Sequence, residues 1–142
     1  TTAMTGHQPH PGMGITMMGE AVEPVDIARV LEGCGVKSIR TANPQNFSES
    51  VDAVRAAMEE TGVRAIIFKS PCIALVKPEA PKTVDPDKCV SCMYCINEIG
   101  CPALVPDAEA ALQDGKGRVK TDRATCTGCG LCAQICPVNA IG

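Results

Sequence analysis

Eight of the ten cysteines in this 142-residue chain fall into two runs, Cys89-x2-Cys92-x2-Cys95-x5-Cys101-Pro102 and Cys126-x2-Cys129-x2-Cys132-x3-Cys136-Pro137. This is the ligand spacing of a protein that holds two 4Fe–4S clusters. An iron–sulfur cube needs thiolates that converge from several directions. A C-x2-C-x2-C loop wraps one cube and supplies three of them, and the fourth comes from further along the chain. In two-cluster ferredoxins that fourth cysteine ligates the other cluster. The expected sets are therefore Cys89, Cys92, Cys95 and Cys136 for the first cluster, and Cys126, Cys129, Cys132 and Cys101 for the second. The chemistry is one-electron transfer in a reducing, oxygen-poor setting.

Pro102 and Pro137 fix φ and remove a backbone donor as the chain leaves each cube. Gly128 and Gly130 let backbone approach the inorganic sulfides closely. The two runs are copies of one unit, because Asp85–Cys95 aligns with Asp122–Cys132 at a constant offset. The copies diverge afterwards: the first has two more residues before its last cysteine, which leaves open whether Cys95–Cys101 is helical throughout. Zinc prefers separated C-x2-C pairs, often with His. A disulfide framework implies an oxidising compartment. Two triplets, each followed by a Cys-Pro, fit zinc poorly, and the chain shows no signal peptide that would point to disulfides.

The elements that must carry these cysteines are few. Aromatics are limited to Tyr94, Phe47 and Phe68, so residues 85–142 are poorly cored as bare polypeptide and their folding should depend on metal. Net charge is −3 and evenly spread, which argues against nucleic-acid binding. No stretch approaches the roughly 20 apolar residues of a membrane span, and a cytoplasmic location is expected. The chain opens Thr1-Thr2-Ala3, without a Met or a targeting signal, as a piece of something larger would.

The first half reads as α/β. A helix is expected over 24–34, with Pro24 in its first turn, Asp26 at the positive end of its dipole and Val25, Ala28 and Leu31 on one face. Gly33 and Gly35 bracket its end. A strand is expected at Val36–Thr41. Asn46 and Glu49 form a capping box for a second helix with Val51, Val54 and Met58 as its apolar stripe, stopped at Gly62. Arg64–Phe68 is an apolar run of the kind buried on both faces of a parallel sheet. Helix, strand, helix, strand predicts parallel pairing, the end of a larger doubly wound domain. Residues 1–77 form this portion, the proline-rich 78–84 a linker, and 85–142 an α+β ferredoxin-like domain with two clusters. The glycines at 12, 14 and 19 do not match a dinucleotide fingerprint. Cys34, at a helix end, is expected as a small buried apolar residue. Cys72 follows the buried strand, where parallel sheets place functional groups, although a core or loop role is the simpler expectation.

The opening segment, Thr1-Thr2-Ala3-Met4-Thr5-Gly6-His7-Gln8-Pro9-His10-Pro11-Gly12, is loop-like, and its composition alone reads as a surface loop with two solvated histidines. It also resembles the loop that follows the thiamine-diphosphate and magnesium motif in the 2-oxoacid:ferredoxin oxidoreductases, above all in the α subunit of the indolepyruvate type. The order that follows is similar as well: Val25-Asp26-Ile27, the Asn43-Pro44 turn, the buried strand, Ser70-Pro71-Cys72, then the cysteine runs with a lengthened first run ending Cys101-Pro102-Ala103-Leu104. The resemblance covers essentially the whole chain. It implies oxidative decarboxylation of an arylpyruvate with CoA to an acyl-CoA and CO2, with electrons passing through the clusters to an external ferredoxin. The implied partners are the remainder of the large subunit and a smaller β subunit. The implied cofactors are thiamine diphosphate and Mg beside the two clusters. The Thr1 carbonyl would be a magnesium ligand, and Thr5 and Gly6 would lie near the diphosphate or the reacting carbon.

The family's Gly-Asp-Gly motif, its magnesium-binding Asn and its activating Glu are expected before Thr1. The chain alone is accordingly expected to lack a complete active site, and no catalytic residue is assigned. The rival expectations are a free-standing two-cluster electron carrier, a subunit of another 2-oxoacid:ferredoxin oxidoreductase, and a structural zinc module.

Overall fold

Two short parallel strands, β1 (Ser38–Ala42) and β2 (Arg64–Phe68), carry the first half of the chain. The computed structural model describes residues 10–72, 76–108, 110 and 118–142. The chain divides into two units, Thr1–Lys77 and Pro78–Gly142.

In the first unit α1 (Ile27–Gly33) precedes β1, and α2 (Phe47–Glu59) makes the crossover to β2. Register runs from Ser38↔Arg64 to Ala42↔Phe68. Helix α1 starts three residues later than expected, because Asp26 acts as its cap. The Asp26 carboxylate accepts from the Ala28 N–H at 2.9 Å and the Arg29 N–H at 3.3 Å, which leaves Pro24 outside the helix. Strand β1 also starts late. The Val36 N–H still bonds the Leu31 carbonyl at 3.0 Å, with Gly35 left-handed at φ +87°.

Asn46 caps α2 through the Glu49 N–H. Glu49 does not return to the Asn46 N–H, which the Asn43 carbonyl already occupies at 2.9 Å. It takes the Asn43 N–H instead, also at 2.9 Å. The parallel pairing is as expected, but burial on both faces is not. Ile66 and Ile67 are half-buried, and Phe68 is exposed. Val54 and Met58 of the α2 stripe are exposed too, and among the described residues of this unit only Ala42 and Ala57 are buried.

The second unit has α3 (Tyr94–Ile99), β3 (Leu104–Asp107), β4 (Arg118–Thr121) and α4 (Leu131–Ile135). Strands β3 and β4 pair antiparallel, from Leu104↔Thr121 to Asp107↔Arg118. Its core is Cys95, Leu104, Val119, Cys132, Ile135 and Ile141. The extra residues of the first run go into α3, which Gly100 closes at φ +62° with its N–H on the Ile96 carbonyl. Residues 78–84, expected as a linker, are held within this unit. Thr83 and Gly142 exchange backbone hydrogen bonds at 2.8 and 3.0 Å, and Val84 bridges Ile141.

Candidate metal centres

Each cysteine run is entered through the same aspartate turn. The Asp85 carboxylate accepts from the Asp87 N–H, and the Asp122 carboxylate from the Ala124 N–H, both at 3.0 Å. The Cys89 N–H then bonds the Asp85 carbonyl, and the Cys126 N–H bonds the Asp122 carbonyl, again both at 3.0 Å. These contacts hold both carboxyls below the usual range. For Asp85 the Asp87 N–H is the main cause, with Lys88 adding to it. For Asp122 the Thr125 hydroxyl leads, followed by the Ala124 N–H. The turns fix the direction in which the first thiol of each run leaves the backbone.

Between the thiols the backbone turns left-handed at matching positions. Ser91 and Met93 have φ of +58° and +57° in the first run, and Gly128 and Gly130 have +77° and +76° in the second. Non-glycine residues in this region cost of order 1 kcal/mol or more. Such turns gather backbone N–H groups into concavities that favour anions, iron–sulfur clusters among them. Ser91 and Met93 carry no glycine signal of their own. Only their alignment with Gly128 and Gly130 could have revealed them.

The exits cross over. Beyond Cys101 the chain enters β3, and the Ala103 carbonyl accepts from the Asp122 N–H at 2.7 Å. Beyond Cys136 it reaches Ala140, whose carbonyl accepts from the Asp85 N–H, also at 2.7 Å. Each Cys-Pro exit is thereby tied to the entrance of the other run. As a result Cys89, Cys92, Cys95 and Cys136 line one small apolar cavity, bordered by Val84, Met93, Val119, Pro137 and Ile141. The Cys136 sulfur accepts the Ala140 N–H at 3.2 Å. Burial pushes the Cys95 thiol above the ordinary thiol value, and Cys136, Cys92 and Cys89 push it further. Burial likewise raises Cys132, helped by Cys129, Cys101 and Cys126.

Among the described residues no three or more His, Cys, Asp or Glu side chains are arranged to hold a single metal ion. The first four thiols instead surround a volume. A sulfur-only donor set in an apolar cavity suits an iron–sulfur cube. Ser91, only 3% exposed, has a hydroxyl without a partner, and a cluster sulfur beside its loop would supply the acceptor. Cys92 and Cys129 are the exposed members of the two runs.

Gly128 has a further constraint. A Cβ there would lie 2.7 Å from both the Ala80 carbonyl oxygen and the Glu79 Cβ. The steric demand comes from the strap at residues 79–80 as well as from any cluster. Gly128→Ala is expected to cost about 2–4 kcal/mol, combining overpacking with left-handed strain, and to lower iron retention. Thermal melting with iron counting checks this; a variant that melts and loads like the parent rules it out.

The other candidates lie apart from the thiols. Thr1, Thr5, Gly6 and His7 fall outside the described residues. His10 is structural: its Nδ1 accepts the Gly12 N–H at 3.1 Å and caps a 3-10 turn at Pro11–Met13. Cys34 is exposed at the end of α1, not buried, because the helix is covered too little to enclose its last residue. Cys72 is half-buried just past β2. The broad depression at Lys37–Arg40 and Glu59–Thr61 lies at the opposite ends of β1 and β2 from those where parallel sheets bind ligands. Its Arg40 and Glu60 are engaged with each other.

Two family models match separate parts of the chain. A thiamine pyrophosphate enzyme C-terminal TPP-binding domain model matches residues 1–68, and a 4Fe-4S binding domain model matches 119–142. The indolepyruvate oxidoreductase subunit IorA of Archaeoglobus fulgidus is 40% identical over 99% of this chain, and that of Pyrococcus horikoshii is 34% identical over 98%. The chain spans 22% of the length of each of these relatives. Ferredoxin-3 of a Nostoc species is 34% identical over 44% of this chain and 75% of its own length.

Proposed function

We propose, from this chain's homology with the IorA-type subunits, that it forms part of an oxidoreductase subunit that oxidatively decarboxylates arylpyruvates and passes the electrons through two 4Fe–4S clusters. What supports the reading is the crossing of each Cys-Pro exit to the entrance of the other run, with Cys89, Cys92, Cys95 and Cys136 around one cavity, in a chain whose residues 1–68 match a thiamine-type domain. Cys89, Cys92, Cys95 and Cys136 would hold one cluster, and Cys126, Cys129, Cys132 and Cys101 the other. Exposed Cys92 and Cys129 give each cluster an edge toward solvent, where electrons can enter or leave. The left-handed turns present N–H groups to the sulfurs, which tunes their potentials. Thiamine diphosphate, when bound with Mg, supplies the electron sink for cleaving the carboxyl carbon from the 2-oxo carbon. Of this chain's residues, the Thr1 carbonyl is assigned to the Mg, and Thr5 and Gly6 to the diphosphate side.

The partners of this reading are the rest of the large subunit, a smaller β subunit and an external ferredoxin, in the cytoplasm. Among the described residues no helix is long and apolar enough to cross a membrane. A free-standing electron carrier is the second reading, favoured by the match of 44% of this chain to a ferredoxin. The two separate in an assay of the full-length subunit with its partner. Ferredoxin reduction should require both CoA and an arylpyruvate. Turnover with pyruvate or 2-oxoglutarate but not arylpyruvates would overturn the substrate class, and no turnover with any 2-oxoacid would favour the carrier.

A further inference from the structure

The internal repeat makes the two thiol sets comparable position by position. At the offset that places Asp85 on Asp122, Lys82 falls on Val119, and Met93 falls on Gly130. Val119 is 5% exposed and lines the cavity of the first set beside Met93. Across the repeat, a Cβ built on Gly130 would stand 3.6 Å from Lys82 Cε. Lys82 therefore lies against the second loop where Val119 lies against the first. The crossed topology makes this so, since the segment that enters each run packs on the loop of the other. One loop faces a valine and the other a lysine.

We propose that Lys82 raises the reduction potential of the cluster held by Cys126, Cys129, Cys132 and Cys101 above that of the cluster held by Cys89, Cys92, Cys95 and Cys136. A single electron then comes to rest on the second cluster. Reduction adds one negative charge to a cluster, and a fixed cation nearby favours the more negative state. Lysine carries its charge at neutral pH, and Val119 has nothing comparable to offer. Lys82 is half-buried and forms no ion pair with an acidic residue among those described. Glu79 opposes it, since its Cβ borders the same loop at Gly128. Glu79 is exposed and Lys82 half-buried, so solvent and salt screen the Glu79 carboxylate more. The transfer is balanced: the reduced first cluster loses one electron, the oxidised second gains it, and no proton or further reactant takes part.

The inference rests on the two-cluster reading, and the test keeps the two apart. The protein is reconstituted anaerobically, its iron is counted, and it is titrated with dithionite while paramagnetic resonance follows each cluster. Cys101→Ser marks the signal of the second set. Lys82→Met should lower the potential of that cluster alone, shifting the electron's partition between clusters about tenfold, or about 59 mV for a one-electron couple. Lys82→Arg should restore it. Glu79→Gln should move the same cluster the other way, by less. A count near eight iron with both potentials unmoved by Lys82→Met, or both moved alike, overturns the role of Lys82 alone. A wild-type count near four overturns the two-cluster reading and this inference with it.

Discussion

Cys136→Ala is expected to cost the chain the cluster of the Cys89 run, leaving the Cys126 run, in which it sits, loaded. Iron should fall from about eight to about four per chain, the content of one cube in place of two. The reason is the crossed exit. Cys136 stands with Cys89, Cys92 and Cys95 because the chain beyond Pro137 returns to the entrance of the first run, where the Ala140 carbonyl takes the Asp85 N–H. Removing the sulfur also deprives the Ala140 N–H of its acceptor at 3.2 Å. Cys101→Ala is the mirror case and should empty the Cys126 set. Paramagnetic resonance of the two variants should show complementary signals. Loss of the Cys126-run signal in Cys136→Ala would mean that each run ligates its own cube.

Stripping the iron should unfold the second unit while leaving the first as it was. Two of the six residues in the core of the second unit, Cys95 and Cys132, belong to the proposed ligand sets. The other four are Leu104, Val119, Ile135 and Ile141, with no aromatic side chain among them. Without metal, buried thiols must sit against one another in a cavity that nothing fills, and folding energy that came from metal binding is lost. The first unit has contacts of its own: β1 and β2 pair through their backbone, and α2 packs on both. Hydrogen exchange after anaerobic chelation should show segments within 84–104 and 118–142 losing protection, with 38–68 unchanged. Protection that survives chelation throughout the second unit would show that its polypeptide core suffices.

The cysteine spacing made the second unit legible, because few architectures place triplets of thiols before Cys-Pro. Strand β2 was legible from its apolar run Ala65-Ile66-Ile67-Phe68, although its exposure was not. What the sequence hid was settled by competition or by distant neighbours. Pro24 and Asp26 both signal a helix start, and only the hydrogen bonds of the Asp26 side chain decide between them. Glu49 looked ready to close a capping box, but a turn had already taken the N–H it needed. Gly128 reads as a concession to the cluster, yet atoms of residues 79 and 80, far away in sequence, also exclude a Cβ there. Ser91 and Met93 adopt a backbone shape that their side chains disfavour, so nothing in their identity announces it.

The mutual hydrogen bonds between Thr83 and Gly142 have a consequence for how such a unit travels between proteins. Its segments at 83–84 and 141–142 are neighbours, so two stretches far apart in sequence meet at one place. A piece of chain built that way can be spliced onto the end of an unrelated catalytic domain, or lifted from it, without rerouting any connection inside either one.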